Sequence, residues 1–223
     1  MKNLGIYLLL MCFAFTAQAQ SHLQAQKSTE TNKAKSLLNE VSSKVKSYDN
    51  IVIEFEYNLR NLEANIKQET RGKVSLKGDK YRLDLMGTTR LFDGKKIYTI
   101  IPEDEEINIS TYSKENDQAI TPSKMLTFYE NGYTYEMDIV QNVHGRKIQY
   151  VKIVPIDKNS EVEQILLGID KQTKHIHNLI KTLKDGTQIT IKINSFKTNL
   201  PLSKTLFVFQ ESKYEDYYIN RLD

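Results

Sequence analysis

The chain has 223 residues, a formal net charge of +3 and a single cysteine, Cys12. That length suits one domain with a substantial hydrophobic core, and the small, scattered charge argues against nucleic acid as a partner. If Cys12 is removed with an N-terminal signal, then disulfides, thiolate metal ligands and cysteine nucleophiles are excluded together.

The N-terminus has the pattern of a secretory signal peptide. Lys2 precedes an apolar run of about a dozen residues that ends in an A-x-A motif at Ala19, and a bilayer span needs about 20. We therefore predict a cleaved signal peptide over residues 1–19 and a periplasmic protein. A weak lipoprotein box at Cys12 is the alternative and would give a membrane-tethered form, but Met11 is larger than the residue usually found before a modified cysteine.

Residues 20–32 are polar and aperiodic, which predicts a flexible leader before a single domain over residues 33–223. An amphipathic helix is expected over residues 33–46. Apolar side chains recur there at helical spacing: Ala34, Leu37, Leu38, Val41 and Val45.

From residue 49 onward the apolar period changes to two, which is typical of half-buried strands. In "IVIEFEYNL" the side chains of Phe55 and Tyr57 share one face, and those of Glu54 and Glu56 share the other. Four turn signals separate such runs at hairpin spacing: Gly78-Asp79, Asp93-Gly94, His144-Gly145 and Asp185-Gly186. We predict about eleven strands joined by hairpins, in an antiparallel sheet with one apolar and one wet face.

A sheet of that size tends to curl, so its apolar face should line a barrel or half-barrel. The predicted fold is mainly β, an open half-barrel covered by short helices. One such helix is expected over residues 121–131, because Thr121 can cap its start and Asn131-Gly132 can end it. It would carry four apolar side chains: Met125, Leu126, Phe128 and Tyr129. This helix is either a movable lid over the apolar face or a fixed part of the core that fills one end of the barrel.

The order of these segments resembles the LolA-type family of periplasmic carriers of outer-membrane lipoproteins. The resemblance is carried by "AKSLLNEVSSKVKSYDNIVIEFEYNL", the hairpin "GKVSLKGDKYRLDL", "LFDGKKIYTIIPEDEEINIS", the central helix "TPSKMLTFYENGY" and the closing strand "FVFQESKY". It implies a half-barrel whose cavity accepts lipoprotein acyl chains. The implied partners are acylated lipoproteins, an inner-membrane exporter and an outer-membrane acceptor.

Alternation and this resemblance together predict the lipid-binding residues. They are four sheet residues, Phe55, Tyr57, Leu83 and Leu85, and four helix residues, Met125, Leu126, Phe128 and Tyr129. The chain departs from the family where an arginine is usual, since residues 77–79 read Lys-Gly-Asp, and it has no tryptophan. The family's lid-closing arginine is therefore not assigned here.

No residue set predicts an enzyme or a cofactor. His175 and His177 lie two apart on one predicted strand and could share a metal, but no third ligand is close in sequence. Glu54 and Glu56 could form a carboxylate pair, but alternation places them on the wet face. We expect a monomeric, non-enzymatic carrier. The alternative is a regulatory domain of the same fold that senses lipoproteins.

Overall fold

The computed structural model describes residues 28–112, 124 and 126–222. Helix α1 spans residues 28–46, and two short 3-10 helices lie at Phe128–Glu130 and Glu211–Lys213. Twelve strands make up the rest of the regular structure: β1 Ile51–Asn61, β2 Ile66–Lys77, β3 Lys80–Leu85, β4 Thr88–Phe92, β5 Lys96–Ile101, β6 Glu106–Thr111, β7 Tyr133–Val143, β8 Arg146–Pro155, β9 Val162–Asp170, β10 Ile176–Leu183, β11 Gln188–Thr198 and β12 Tyr218–Arg221. Within these ranges, every helix is too short or too polar to cross a lipid bilayer.

All twelve strands belong to one sheet with the order β12-β6-β5-β4-β3-β2-β1-β11-β10-β9-β8-β7. The first and last strands of this order do not pair with each other in the described residues, so the sheet is an open half-barrel, and the predicted fold class is confirmed. The four turn signals that the sequence offered each separate two neighbouring strands.

Two details of the predicted topology were wrong. The sheet has twelve strands, and β12 pairs in parallel with β6, so it is not purely antiparallel. The segment 207–214, expected as the closing strand, contains the 3-10 helix Glu211–Lys213, and the strand follows it at Tyr218–Arg221. Four residues are too few for alternation to predict a strand, and their pairing depends on the free edge of β6.

Helix α1 covers the inner face of the sheet. Its residues Ala34 and Val41 are fully buried in one core cluster with Val151 and Leu167 of β8 and β9. The helix includes residues 28–32, where a leader was predicted, and the ion pair between Lys33 and Glu30, at 2.8 Å, supports that first part.

Part of the sheet is apolar on both faces. In β1–β3 the inner face is apolar, as predicted, and Glu54 on the outer face is exposed. In β4–β6 the outer face also carries apolar side chains, which form a second core with the C-terminal segment: Tyr98, Ile100, Ile107, Ile109, Phe209, Tyr214, Tyr217 and Ile219. The expectation of one wet face is therefore wrong for β4–β6, because residues 207–219 pack against that face.

Candidate functional site

An apolar cavity of about 150 Å³ lies on the inner face between β1–β3 and β10–β11. Five residues of its wall were predicted: Phe55, Tyr57, Leu83, Leu85 and Leu126. The other six are aliphatic residues of the neighbouring strands: Ile53, Val74, Ile176, Leu179, Ile191 and Ile193. These eleven described residues include no carboxylate, imidazole, thiol or amine. The cavity can therefore exclude water and hold a hydrocarbon, but it lacks an acid–base pair.

A register shift brings two strands into one wall. Glu54 of β1 pairs with Ser195 of β11, whereas Phe55 pairs with Ile193, so Asn194 is skipped. Such a bulge restores the alternation beyond it, and the next inner-face pair is Tyr57 with Ile191. Sequence alternation predicted the β1 side chains of this wall, but the partner strand and its bulge depend on the tertiary pairing.

Gly72 gives the cavity part of its width. A Cβ at this position would lie 2.4 Å from Cζ of Phe55 and 3.0 Å from Cδ1 of Leu85, and both of those side chains line the cavity. The Phe55 ring therefore lies directly over the glycine. Apolar alternation does not single out Gly72, although a lone glycine within a strand pattern is a known signal of close approach.

The predicted helix at 121–131 is described only in part. Met125 lies outside the described residues, Leu126 is buried in the cavity wall, and the regular structure that follows is the 3-10 helix Phe128–Glu130. Tyr129 and Phe128 do not contribute to that wall. Tyr129 is 1 % exposed, and Phe128 packs edge-on against it and against Tyr133.

Residues 129–130 are bound to helix α1. The Ser42 hydroxyl donates a hydrogen bond to the Tyr129 hydroxyl at 3.1 Å, and the Lys46 ammonium pairs with the Glu130 carboxylate. Burial raises the pKa of Tyr129 to about 12. In the described part of this segment, the end from Phe128 onward is fixed as core, and Leu126 is the residue that faces the cavity.

His175, just before β10, and His177, within β10, lie outside the cavity wall. The Tyr48 hydroxyl is 2.8 Å from Nε2 of His175, and the His175 ring stacks on Phe196. Burial lowers the pKa of His175. Among the residues that the structure describes, no three His, Cys, Asp or Glu side chains form a group that could hold a metal ion. His175 therefore joins the end of α1 to the sheet.

The two glutamates of β1 also have ordinary partners. Glu54 lies 3.8 Å from the Lys73 ammonium, and Glu56 lies at the same distance from that of Lys192. Both pairs are on the outer face, so the structure does not place these carboxylates together around a substrate site.

The fold and the cavity define an open half-barrel with an apolar site on its inner face, and the sequence identifies the family. Residues 21–186 match the family model described as "Outer membrane lipoprotein carrier protein LolA". The match spans most of the chain, so the protein belongs to this family. No curated protein sequence matches the chain.

Solved structures share the fold at low sequence identity. An uncharacterized conserved protein from Thermus thermophilus is 10% identical, with a TM-score of 0.57 over 85% of this chain and 99% of that one. The Mycobacterium tuberculosis lipoprotein LppX is 11% identical, with a TM-score of 0.51 over 77% of this chain and 98% of that one. At such identities the likeness establishes the fold.

Proposed function

We propose that this protein is a periplasmic carrier that binds the acyl chains of lipoproteins and moves them from the inner to the outer membrane. The observation that supports this proposal most directly is the apolar cavity on the inner face of the half-barrel. Its partners would be acylated lipoproteins, an exporter in the inner membrane and an acceptor in the outer membrane. The protein would act by binding and release, without catalysis.

A soluble carrier needs an apolar cavity because an acyl chain is costly to bring from a membrane into water. An acyl chain of about sixteen carbons, at about 0.8 kcal/mol per methylene, costs roughly 12 kcal/mol to bring into water. A single hydrogen bond contributes only about 1 kcal/mol net, so polar contacts cannot replace apolar burial. The wall residues of β1–β3 and β10–β11 supply that apolar surface.

The cavity is smaller than a lipoprotein acyl chain. A cavity of about 150 Å³ accommodates a ligand the size of benzene, with six carbons. A lipoprotein acyl chain of about sixteen carbons needs more than twice that space. Binding of an acyl chain therefore requires the residues over the cavity to move. Leu126 lies on the cover side of the wall, whereas Tyr129 is hydrogen-bonded to α1.

Leu126, which lies over the cavity, and the wall residues of the sheet would have different roles. Phe55, Tyr57, Leu83 and Leu85 would form the fixed wall, and Leu126 would leave the wall to admit the chain. Met125 stays a proposed lipid contact. Phe128 and Tyr129, which we expected to contact lipid, would do so only if the segment separates further from α1.

A transfer assay tests this function. The protein is mixed with membranes that contain a fluorescently labelled lipoprotein and the exporter, and the labelled soluble complex is measured by size-exclusion chromatography. We expect Leu126→Asp to lower complex formation at least tenfold while the β-sheet circular dichroism is kept, because a carboxylate in the apolar wall opposes acyl binding. The control is Leu222→Asp, since Leu222 is 60 % exposed and far from the wall.

Two results would contradict the proposal. Equal complex formation by the two variants would show that the cavity does not hold the cargo. A wild-type protein that binds lipoprotein but never passes it to outer-membrane vesicles would instead favour the sensing role.

A further inference from the structure

Arg90 of β4 lies beside the cavity on the inner face of the sheet. The β3–β4 pairing places it directly opposite Leu83, a wall residue, and the β4–β5 pairing places it opposite Thr99. Directly opposed residues of neighbouring strands have Cβ atoms about 5 Å apart and point to the same side. The side chain of Arg90 therefore starts next to the wall residue Leu83, on the same face of the sheet.

This guanidinium has an unused donor. The Nε atom of Arg90 is buried and makes no hydrogen bond in the described structure. No carboxylate among the described residues forms an ion pair with Arg90, whereas Arg82, one strand away on the outer face, is paired with Asp84 at 2.9 Å. A buried donor without a partner is costly, so its retention beside an apolar cavity points to a partner that arrives with the ligand.

We propose that Arg90 binds the head group of acyl ligands that end in an oxyanion. An amphiphile with its hydrocarbon against Leu83 and Leu85 would bring its polar end to the edge of the wall, where Arg90 lies. The planar guanidinium group matches the two oxygens of a carboxylate or phosphate. The ligand class is thus an acyl chain with an anionic head, either a fatty acid or a lipid phosphate.

This inference rests on the acyl-binding cavity of the proposed function and goes beyond it. The acyl chains of a lipoprotein end in neutral esters and amides, which accept hydrogen bonds without charge. An oxyanion gains a charge-assisted hydrogen bond from the guanidinium, which such neutral groups do not. Arg90 would therefore favour free anionic lipids as a second class of ligand.

Displacement of the neutral fluorophore N-phenyl-1-naphthylamine from the full mature protein at pH 8 tests the site. The competitors are dodecanoic acid, dodecyl phosphate and uncharged dodecanol, which share one chain length. For the wild-type protein we expect about 10- to 100-fold tighter binding of the two anions than of dodecanol. A preference for only one anion identifies whether the natural head is a carboxylate or a phosphate.

Variants test whether Arg90 causes the tighter binding of the anions. Arg90→Gln should remove the preference for anions while the affinity for dodecanol is kept, and Arg90→Lys should keep part of that preference. Arg82→Gln, which removes the same charge from the outer face, should leave it intact. If Arg90→Gln does not fold, the comparison of Arg90→Lys with the wild-type protein still shows whether Arg90 causes the preference for anions.

Three outcomes would overturn the inference. One is equal wild-type affinity for the anions and dodecanol, which leaves the apolar cavity of the proposed function standing. Another is an equal loss in the Arg82 and Arg90 variants. A wild-type protein that binds none of the three compounds would contradict the cavity itself, and with it both proposals.

Discussion

The two halves of the half-barrel have the same alternating sequence pattern but differ in what covers their inner faces. In β8 and β9, Val151, Ile153 and Leu167 are fully buried beneath α1. In β3, Leu83 and Leu85 remain half-buried and border the cavity. Within the described residues, the apolar face of β8 and β9 is core because α1 packs on it, whereas the apolar face of β1–β3 lines a cavity.

The attachment of α1 explains which half is filled. Its Glu40 carboxylate forms an ion pair with the Lys174 ammonium at 2.8 Å, and the Tyr48 hydroxyl at its end contacts His175. Both partners belong to the β9–β10 connection. The helix is therefore fixed over β8–β10, and the inner face of β1–β3 is left to the segment that contains Leu126.

The largest expected effect is in the filled half. Leu167→Ala removes a fully buried side chain from beneath α1, and such a change in a packed core typically costs about 2–5 kcal/mol. Urea denaturation should show this loss in the free energy of unfolding. A cost below about 1 kcal/mol would mean that the face of β8 and β9 beneath α1 is packed no more tightly than the face of β1–β3 beside the cavity.

The second effect concerns the contact between α1 and Tyr129. An exposed tyrosine has a pKa of 10.0, and burial raises that of Tyr129 to about 12, so folding retains the phenolic proton. This stabilisation is complete below about pH 10 and is lost as the pH rises through about 12, a change of about 2–3 kcal/mol. Tyr129→Phe cannot ionise, so the difference in unfolding free energy between wild type and variant should shrink over that range. A constant difference would show that Tyr129 is accessible to water.

Gly72→Ala tests the width of the cavity. The new Cβ would lie 2.4 Å from Cζ of Phe55, so the ring must move into the cavity, and overpacking of this kind costs about 1–3 kcal/mol. Binding of dodecanol, measured by fluorophore displacement, should weaken with the loss of stability. Lys73→Ala, on the outer face of the same strand, is the control and should leave both quantities unchanged. Unchanged dodecanol affinity in Gly72→Ala would show that Phe55 does not limit the cavity.

The smallest effect on stability is expected in the open half. Leu83→Ala should cost less than Leu167→Ala, because Leu83 borders empty space and leaves little new cavity behind. Transfer of a labelled lipoprotein should nevertheless slow, whereas Glu54→Gln on the outer face should change neither stability nor transfer. Destabilisation equal to that of Leu167→Ala, without a transfer defect, would identify the open half as ordinary core.

Much of the candidate site followed from alternation alone. Phe55, Tyr57, Leu83 and Leu85 were assigned to the apolar face from a period of two, and all four line the cavity. The prediction was less successful for Phe128 and Tyr129, which pack away from the wall. A helical period shows which side chains are apolar, but the surface on which they pack depends on residues far away in sequence, such as Ser42.

The sequence by itself determined the strands, their hairpin turns and the apolar face of β1–β3, because backbone pleating and turn chemistry act between residues close in the chain. For the described residues, the tertiary structure decided what lies over each apolar face: α1 over β8–β10, residues 207–219 over the outer face of β4–β6, and a cavity bordered by Leu126 over β1–β3. Hydrophobic burial has no directional preference, so a pattern of apolar residues specifies a face that needs a partner without specifying the partner.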